Sequence, residues 1–568
     1  MPKRNTWIDI FILSIFTVLI TFHPDYLRGE LNLFELSLYL PGINAILHGQ
    51  IPFRDFFHLR GPLELYMPAF MMTIFGKKIA VLSTYFYIGT VLGLIVCVLI
   101  AAQFYRSRWT LYVMAPVLIA RTFPRIVFTF WGGMRFTWGV VALFFAIRFF
   151  KEEKKIWIFA AGMISALACL TSLEVGVASI LGILAAITFA FLFNRLDRRE
   201  AVKAGLLFAG GWLTFILPYC GYLAATHSLR PYIDDTWAVV VNMQKVIDMH
   251  LISVYPKNIP EFIAAMVNPH NKNFRQMTPI YLYIVLSIYL LRRIRNRILD
   301  WRDLTLVCLG VYGVVLYSFS VRMIWGQQFE MALQPEKILL FYILETVFLF
   351  ALKQRKKILI SFHQEETPIS PVGKEPLNKN LLRTQIIAIY LFFFIVIGSS
   401  IGYTFGRYIH VKKKEKGARV LLAEKIPREL NIPRGQGMVV SSLQAEEIET
   451  IVNFVQGTSS PEDIVVMYPD SGIYNFLFDR SFLDRFPVPV MSWFDEDWHR
   501  DFVRAFKTRK PKFVIIPQKF PELWETVHLT PVQNRQKYNE VLDLVHSDYV
   551  LDKTTPMSYI YRIKSPLD

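Results

Sequence analysis

Cysteine is scarce in this chain: Cys97, Cys169, Cys220 and Cys308 are the 4 in 568 residues. All lie inside apolar runs and none forms a CxxC pair. That excludes a disulfide framework and a cysteine zinc site, and leaves them as small core residues. No Gly-rich phosphate loop follows a strand-like run, so nothing points to nucleotide binding. No repeat recurs at solenoid periods. No small-residue cleavage site follows the first apolar run, 7–22. This run is therefore expected to remain as a membrane span with the N-terminus in the cytoplasm, not to leave as a signal peptide. Charge is thin as well: Asp, Glu, Lys and Arg make up 19% of the chain and are sparse inside the long apolar runs.

What the chain has instead is apolar length. It is 54% hydrophobic and 15% aromatic, with a mean hydropathy of +0.36. A soluble domain does not carry so many long apolar runs. A span needs about 20 apolar residues, and about eleven candidates are present. They are 7–22, 79–104, 109–123, 126–150, 156–173, 175–193, 204–225, 279–291, 304–321, 338–352 and 385–405. The run 62–75 is short and carries Glu64.

The net charge of +17 does not imply nucleic acid, because no basic groove motif accompanies it. The Lys and Arg residues sit in the short loops 106–108, 151–155, 195–203, 292–302 and 353–383. If 62–75 does not cross, all these loops are cytoplasmic, as the positive-inside rule requires. If it crosses, all of them flip and the rule fails throughout. The run 62–75 is thus expected to lie in the interface. The threading leaves two large loops outside, 23–78 and 226–278, with a flexible cytoplasmic linker at 353–383. A C-terminal domain, 406–568, also lies outside. The Lys412–Lys416 cluster falls outside too, where anionic headgroups would meet it. That domain alternates strand-like runs (437–442, 463–468, 512–517, 557–563) with helical ones (444–456, 497–507, 535–546), which predicts a small α/β unit with a partly parallel sheet. The expected architecture is a polytopic α-helical membrane protein with a C-terminal soluble α/β domain.

The first outside loop holds the candidate chemistry. Residues 31–47 place apolar side chains on one helical face, interrupted at Pro41-Gly42, as in a helix lying flat on a membrane. Glu35 then sits at the lipid–water boundary, where partial desolvation raises a carboxyl pKa and suits it to deprotonate a hydroxyl or amine. Periodicity alone favours the plainer reading, a solvated charge on the helix's polar face.

The loop runs through Glu35, Tyr39, Gly49, Pro52-Phe53-Arg54-Asp55-Phe56, Gly61-Pro62-Leu63 and Phe75-Gly76. In this order and spacing it resembles the first extracytoplasmic loop of GT-C glycosyltransferases, in the bacterial branch related to protein O-mannosyltransferases and the lipid A aminoarabinose transferase. Weaker likenesses are Leu170-Thr-Ser-Leu-Glu174-Val-Gly and the segment 463–480. The resemblance implies a GT-C-like membrane domain over 1–405, in a bacterial inner membrane. It implies a polyprenyl-phosphate sugar donor, transferred with inversion to a protein, lipid or glycan acceptor, with Glu35 as general base.

A lipid phosphate needs cationic partners. Candidates are Arg60, Arg121, Arg125, Arg275 and Arg322, the last just before Trp325-Gly-Gln-Gln-Phe-Glu330. Tyr39, Asp55, His58, Arg60, Arg322 and Glu330 form the candidate substrate-binding set. Asp55 equally suits capping a turn, and His58 a satisfied interfacial histidine. Asp234-Asp235 is either an acceptor contact or a solvated pair, and Glu174 either a span-end carboxylate or a partner for an arginine. The family commonly has a second acidic residue beside Glu35 and another in the next outside loop. This chain has Leu36 and the carboxylate-free 120–125, which favours a base that works without a divalent metal. A lipid-linked sugar transporter would instead show charges lining a route through the spans. Arg135 is the main such charge. A non-catalytic membrane scaffold is the third reading.

Overall fold

The computed structural model describes residues 6–21, 31–122, 133–193, 195–247, 259–268, 274–296, 299–320, 334–364 and 427–520. It also describes 531–565 and the isolated positions 384, 387 and 391. Helices α1 (Thr6–Thr21), α2 (Leu33–Ser37), α3 (Leu40–Leu47), α4 (Leu63–Phe75), α5 (Ile79–Phe104), α6 (Arg108–Thr122) and α7 (Gly133–Glu152) come first. They are followed by α8 (Lys155–Thr171), α9 (Leu173–Leu192), α10 (Arg198–Ala225), α11 (Leu229–Ile247), α12 (Ile259–Val267), α13 (Phe274–Arg295), α14 (Trp301–Ser320) and α15 (Gln334–Gln364).

Each expected span through 338–352 falls on a helix over its described residues; 22, 123, 126–132 and 321 lie outside them, as does 385–405 apart from 387 and 391. By length and composition, α5, α7, α9, α10 and α14 can each cross a membrane. Their exposed faces carry large apolar residues such as Ile88, Leu181, Leu206 and Leu217, as lipid-facing helices do.

Close approach of small residues sets the helix crossings near the candidate site. A Cβ on Gly89 of α5 would overlap the backbone of Gly133 and Met134, and one on Gly93 would meet Thr137 Oγ1 at 2.8 Å. Thr137 Oγ1 donates to the Gly89 carbonyl at 2.5 Å, and Gly133 N–H to Thr90 Oγ1 at 2.9 Å. Such small-residue contacts bring two helix backbones together without a gap. They fix the first turn of α7, and with it Arg135.

Helix α4 has 13 residues. At 1.5 Å per residue that is about 20 Å, well short of an apolar membrane core of about 30 Å. It buries Leu65, Ala69 and Met72 while exposing Phe70, Ile74 and Phe75, the two-faced pattern of an interfacial helix.

Three expectations change. The 31–47 segment is not one flat helix: Pro41 at the start of α3 splits it from α2. Its apolar face is not turned to lipid either. Tyr39, Leu40 and Ile43 are buried in one core with Leu82 and Phe86 of α5 and with Ile473 and Tyr474 of the C-terminal region. The described residues of 226–278 are largely helical, through α11, α12 and the start of α13. The linker 353–383 is still helical to Gln364, because its Lys, Gln, Arg and Leu residues continue α15.

The C-terminal region pairs β1 (Pro427–Glu429) with β2 (Val439–Ser441) antiparallel. A four-stranded sheet joins β3 (Val465–Met467), β4 (Phe513–Pro517), β5 (Tyr549–Thr554) and β6 (Ser558–Ile563) in the order β3-β4-β6-β5. Only β3 and β4 run parallel. Their crossover carries α17 (Ile473–Phe478) and α18 (Glu496–Arg509), as a parallel pair requires. Helices α16 (Ser442–Thr458) and α19 (Pro531–Asp548) complete the α/β unit. Its core is alternating apolar strand residues, Val465, Met467, Phe513 and Ile515 on one face and Val466, Val514 and Ile516 on the other.

Candidate active site in the first loop

The first loop is pinned to the bundle by Gly61. Its N–H donates to the Thr171 carbonyl at 3.2 Å, where α8 ends, and a Cβ there would overlap the Leu170 carbonyl. The loop thus passes directly over the α8–α9 junction, which carries Ser172 and Glu174. Arg60, one residue earlier, is thereby brought beside Arg135.

Arg60 is the centre of the cluster. Its Nη1 donates to the Tyr39 hydroxyl and lies 3.4 Å from Glu64 Oε2. Its guanidinium also stands over the Tyr39 ring, 5.5 Å from the centroid. Tyr39 is held edge-on to Phe86, with centroids 5.0 Å apart. Burial of Arg60 holds its pKa below the usual arginine value, with the charge of Arg135 adding to the effect. Burial raises the Glu64 carboxyl, against the pull of Arg60 and Arg135.

Glu35 sits in α2, where Asn32 caps the helix by accepting from the Glu35 N–H at 3.0 Å. It is 8% exposed. Burial lifts its carboxyl to about 7, and the guanidiniums of Arg60 and Arg135 pull the other way. Of the two readings left open by the periodicity, the solvated charge is thus set aside. A carboxyl in this range is about half ionised at neutral pH, which suits proton abstraction.

Arg135 completes the group. Its Nη2 pairs with Glu174 Oε2 at 2.7 Å, its Nε donates to Ser172 Oγ at 3.3 Å, and its Nη1 has no partner. Gly133 has φ +51°, which interrupts a helix, so among the described residues Arg135 stands at the start of α7. The site thus gathers Glu35, Tyr39, Arg60, Glu64, Arg135 and Glu174 where α7 and α9 begin and α8 ends.

Two expected residues stand apart from this cluster. Asp55 accepts from the Ile51 N–H at 2.7 Å and from Arg54 Nε and Nη2 at 2.8 and 2.7 Å, which is the turn-capping geometry. His58 is buried, with Nε2 unpartnered, and burial pushes its pKa down to about 3, so it is neutral. It lines a cavity of about 20 Å³ with Ser37, Phe57, Pro487 and Val488, beside the C-terminal region. Arg125, Arg322 and Glu330 lie outside the described residues, as do the side chains of Arg121 and Arg275. Asp235 is buried and paired with Arg485, while Asp234 is exposed.

Sequence reasoning missed Glu64 and Arg135 as site members. The available signals were a carboxylate straight after Gly61-Pro62-Leu63 and an arginine just beyond Gly132-Gly133. An apolar hollow of about 330 Å³ adjoins the cluster, lined by Tyr66, Met67, Phe70, Met71, Tyr85, Ile88 and Met134. Met134 precedes Arg135 directly. Among the described residues no group of three or more His, Cys, Asp or Glu is placed to hold a metal ion.

No family model matches the sequence, and neither does any curated protein. Solved structures do. ArnT from Cupriavidus metallidurans bound to undecaprenyl phosphate superposes with a TM-score of 0.55 at 12% identity, over 99% of this chain and 98% of that one. The same protein in its apo state gives a TM-score of 0.52 at 12% identity, over 98% and 97%. The chain is a polytopic membrane protein of the GT-C fold. The likeness runs through the C-terminal α/β region as well as the helical bundle.

Proposed function

We propose that this chain is a membrane glycosyltransferase that moves a sugar from a polyprenyl-phosphate donor to an acceptor hydroxyl or amine. The observation that carries the reading is Glu35. It is a buried carboxyl raised to about 7, within reach of the charges of the part-buried Arg60 and the buried Arg135. A base next to cations is the pairing this reaction needs. Glu35 takes the acceptor's proton as its oxygen or nitrogen attacks the anomeric carbon in line. The sugar–phosphate bond breaks, the anomeric configuration inverts, and the electron pair leaves on the phosphate. Cations held beside the leaving oxygens stabilise that developing charge.

The neighbouring fold adds support, since ArnT has been seen with undecaprenyl phosphate. The hollow from Tyr66 to Met134 is apolar, as a polyprenyl tail would require. The acceptor is a protein, lipid or glycan, and Tyr39 serves by holding Arg60. Glu35 would act without a divalent metal, because two guanidiniums already flank it. The division into a membrane part, 1–405, and an extracytoplasmic part, 406–568, belongs to the same reading. So does a bacterial inner membrane with the N-terminus in the cytoplasm.

The test is the purified full chain with a panel of radiolabelled polyprenyl-phosphate sugars, the acceptor being identified from the glycan lost in a deletion strain. Release of free polyprenyl phosphate with label on the acceptor supports the reading. Lipid movement across proteoliposomes without release makes the chain a transporter instead.

A further inference from the structure

Arg135 has more positive charge than its surroundings use. It is 6% exposed and lies in the first turn of α7, where the helix dipole disfavours a cation. Arg60 is close enough for their charges to act on one another. A buried N–H without an acceptor is costly and rare in a folded protein, yet Nη1 has none. The partner of Nη2 is the weak point of the arrangement. Glu174 is 39% exposed at its side chain and can turn to water, whereas Arg135 cannot.

Resting on the glycosyltransferase reading, we propose that Arg135 binds the phosphate of the lipid donor, and that Glu174 is a placeholder anion which the phosphate displaces. A guanidinium presents a planar fork of N–H donors that matches phosphate oxygens. Nη1 is already free, and Nη2 becomes free when Glu174 swings out. Ser172 Oγ keeps Nε in register at 3.3 Å, so the fork stays oriented through the exchange. Arg60 supplies the second cation from the loop side. The apolar hollow lined by Met134 begins one residue away, which favours a phosphate borne on a lipid over a free one. No bond is made or broken in this step: one anion replaces another.

The exchange predicts opposite effects from the two partners. Binding of undecaprenyl phosphate and of the uncharged undecaprenol is measured on the purified full chain in nanodiscs. Wild type prefers the phosphate. Arg135→Gln loses about ten- to a hundredfold of that preference, the worth of a charged hydrogen-bonded partner, and Arg135→Lys retains part of it. Glu174→Gln, which removes the competing anion, binds the phosphate lipid several-fold tighter while its affinity for undecaprenol is unchanged. A purely structural ion pair predicts the reverse for Glu174→Gln, so unchanged or weaker phosphate binding in that variant overturns the proposal. So does a wild-type preference in folded Arg135→Gln. Displacement of the lipid by micromolar inorganic phosphate overturns the lipid assignment. If wild type itself fails to prefer the phosphate, the glycosyltransferase reading falls too, which separates the two failures.

Discussion

At the scale of single residues, the account rests on a carboxyl displaced towards neutrality. Glu35 is raised to about 7 because burial penalises its charge more than Arg60 and Arg135 favour it. In the proposed reaction Glu35 acts as carboxylate, so kcat/KM should rise with pH through about 7 and level off above it. A half-maximum near the ordinary glutamate value would contradict the assignment. The same shift bears on stability. The folded chain holds the proton more tightly than the unfolded chain, so this group's contribution is complete below the ordinary glutamate value of 4.5 and is lost as pH rises through about 7. His58 shifts the other way, down to about 3, and stays neutral over the working range. It therefore adds no limb to the profile, and His58→Gln should leave the pH dependence where it is.

Among the elements, the contact between the first loop and the α8–α9 junction decides whether the site exists. Gly61 has no room for a side chain over the Leu170 carbonyl. Gly61→Val should lift the loop, separate Arg60 from Arg135 and cost about 1–3 kcal/mol, as overpacking does. A thermal-shift measurement and the donor affinity should fall together.

How far the sequence carried at this scale follows from what each signal depends on. The positions of the apolar helices among the described residues and the short α4 were legible, because hydropathy and the Lys and Arg loops report on a solvent that acts everywhere along the chain. The Glu35 loop was legible through its ordered residues, Glu35, Tyr39 and Gly61-Pro62-Leu63. The flat 31–47 helix was misread, because an apolar face looks the same whether lipid or protein covers it. Here Ile473 and Tyr474, more than 400 residues away, cover it. Arg135 was misassigned as a midspan charge for the related reason that its partner, Glu174, comes from another helix. Such pairings leave no periodicity to read.

For the molecule as a whole, the C-terminal α/β region braces the first loop, which holds the proposed base. Ser37 Oγ accepts from the Ile473 N–H at 2.7 Å, and Gln444 bridges the Leu31 N–H and carbonyl at 3.0 Å each. Arg434 reaches Asn44 Oδ1 at 2.7 Å and Asp479 at 2.6 Å, while Asn44 donates to Asp479 at 3.1 Å. Arg434→Ala leaves Asn44 and Asp479 short of a partner, at a cost of about 1–3 kcal/mol. Hydrogen–deuterium exchange should then rise across 31–48, with transfer reduced although no site residue has changed. The threading makes a further prediction: a reporter fused after residue 568 is active only outside the cytoplasm, and activity inside would invert the loop assignments. The most direct test of the central claim compares wild type with Glu35→Gln in transfer of radiolabelled sugar from a polyprenyl-phosphate donor, with melting temperature recorded alongside. The account predicts a loss of about 10²–10⁴-fold in transfer at an unchanged melting temperature. Undiminished transfer by a folded Glu35→Gln chain would contradict it.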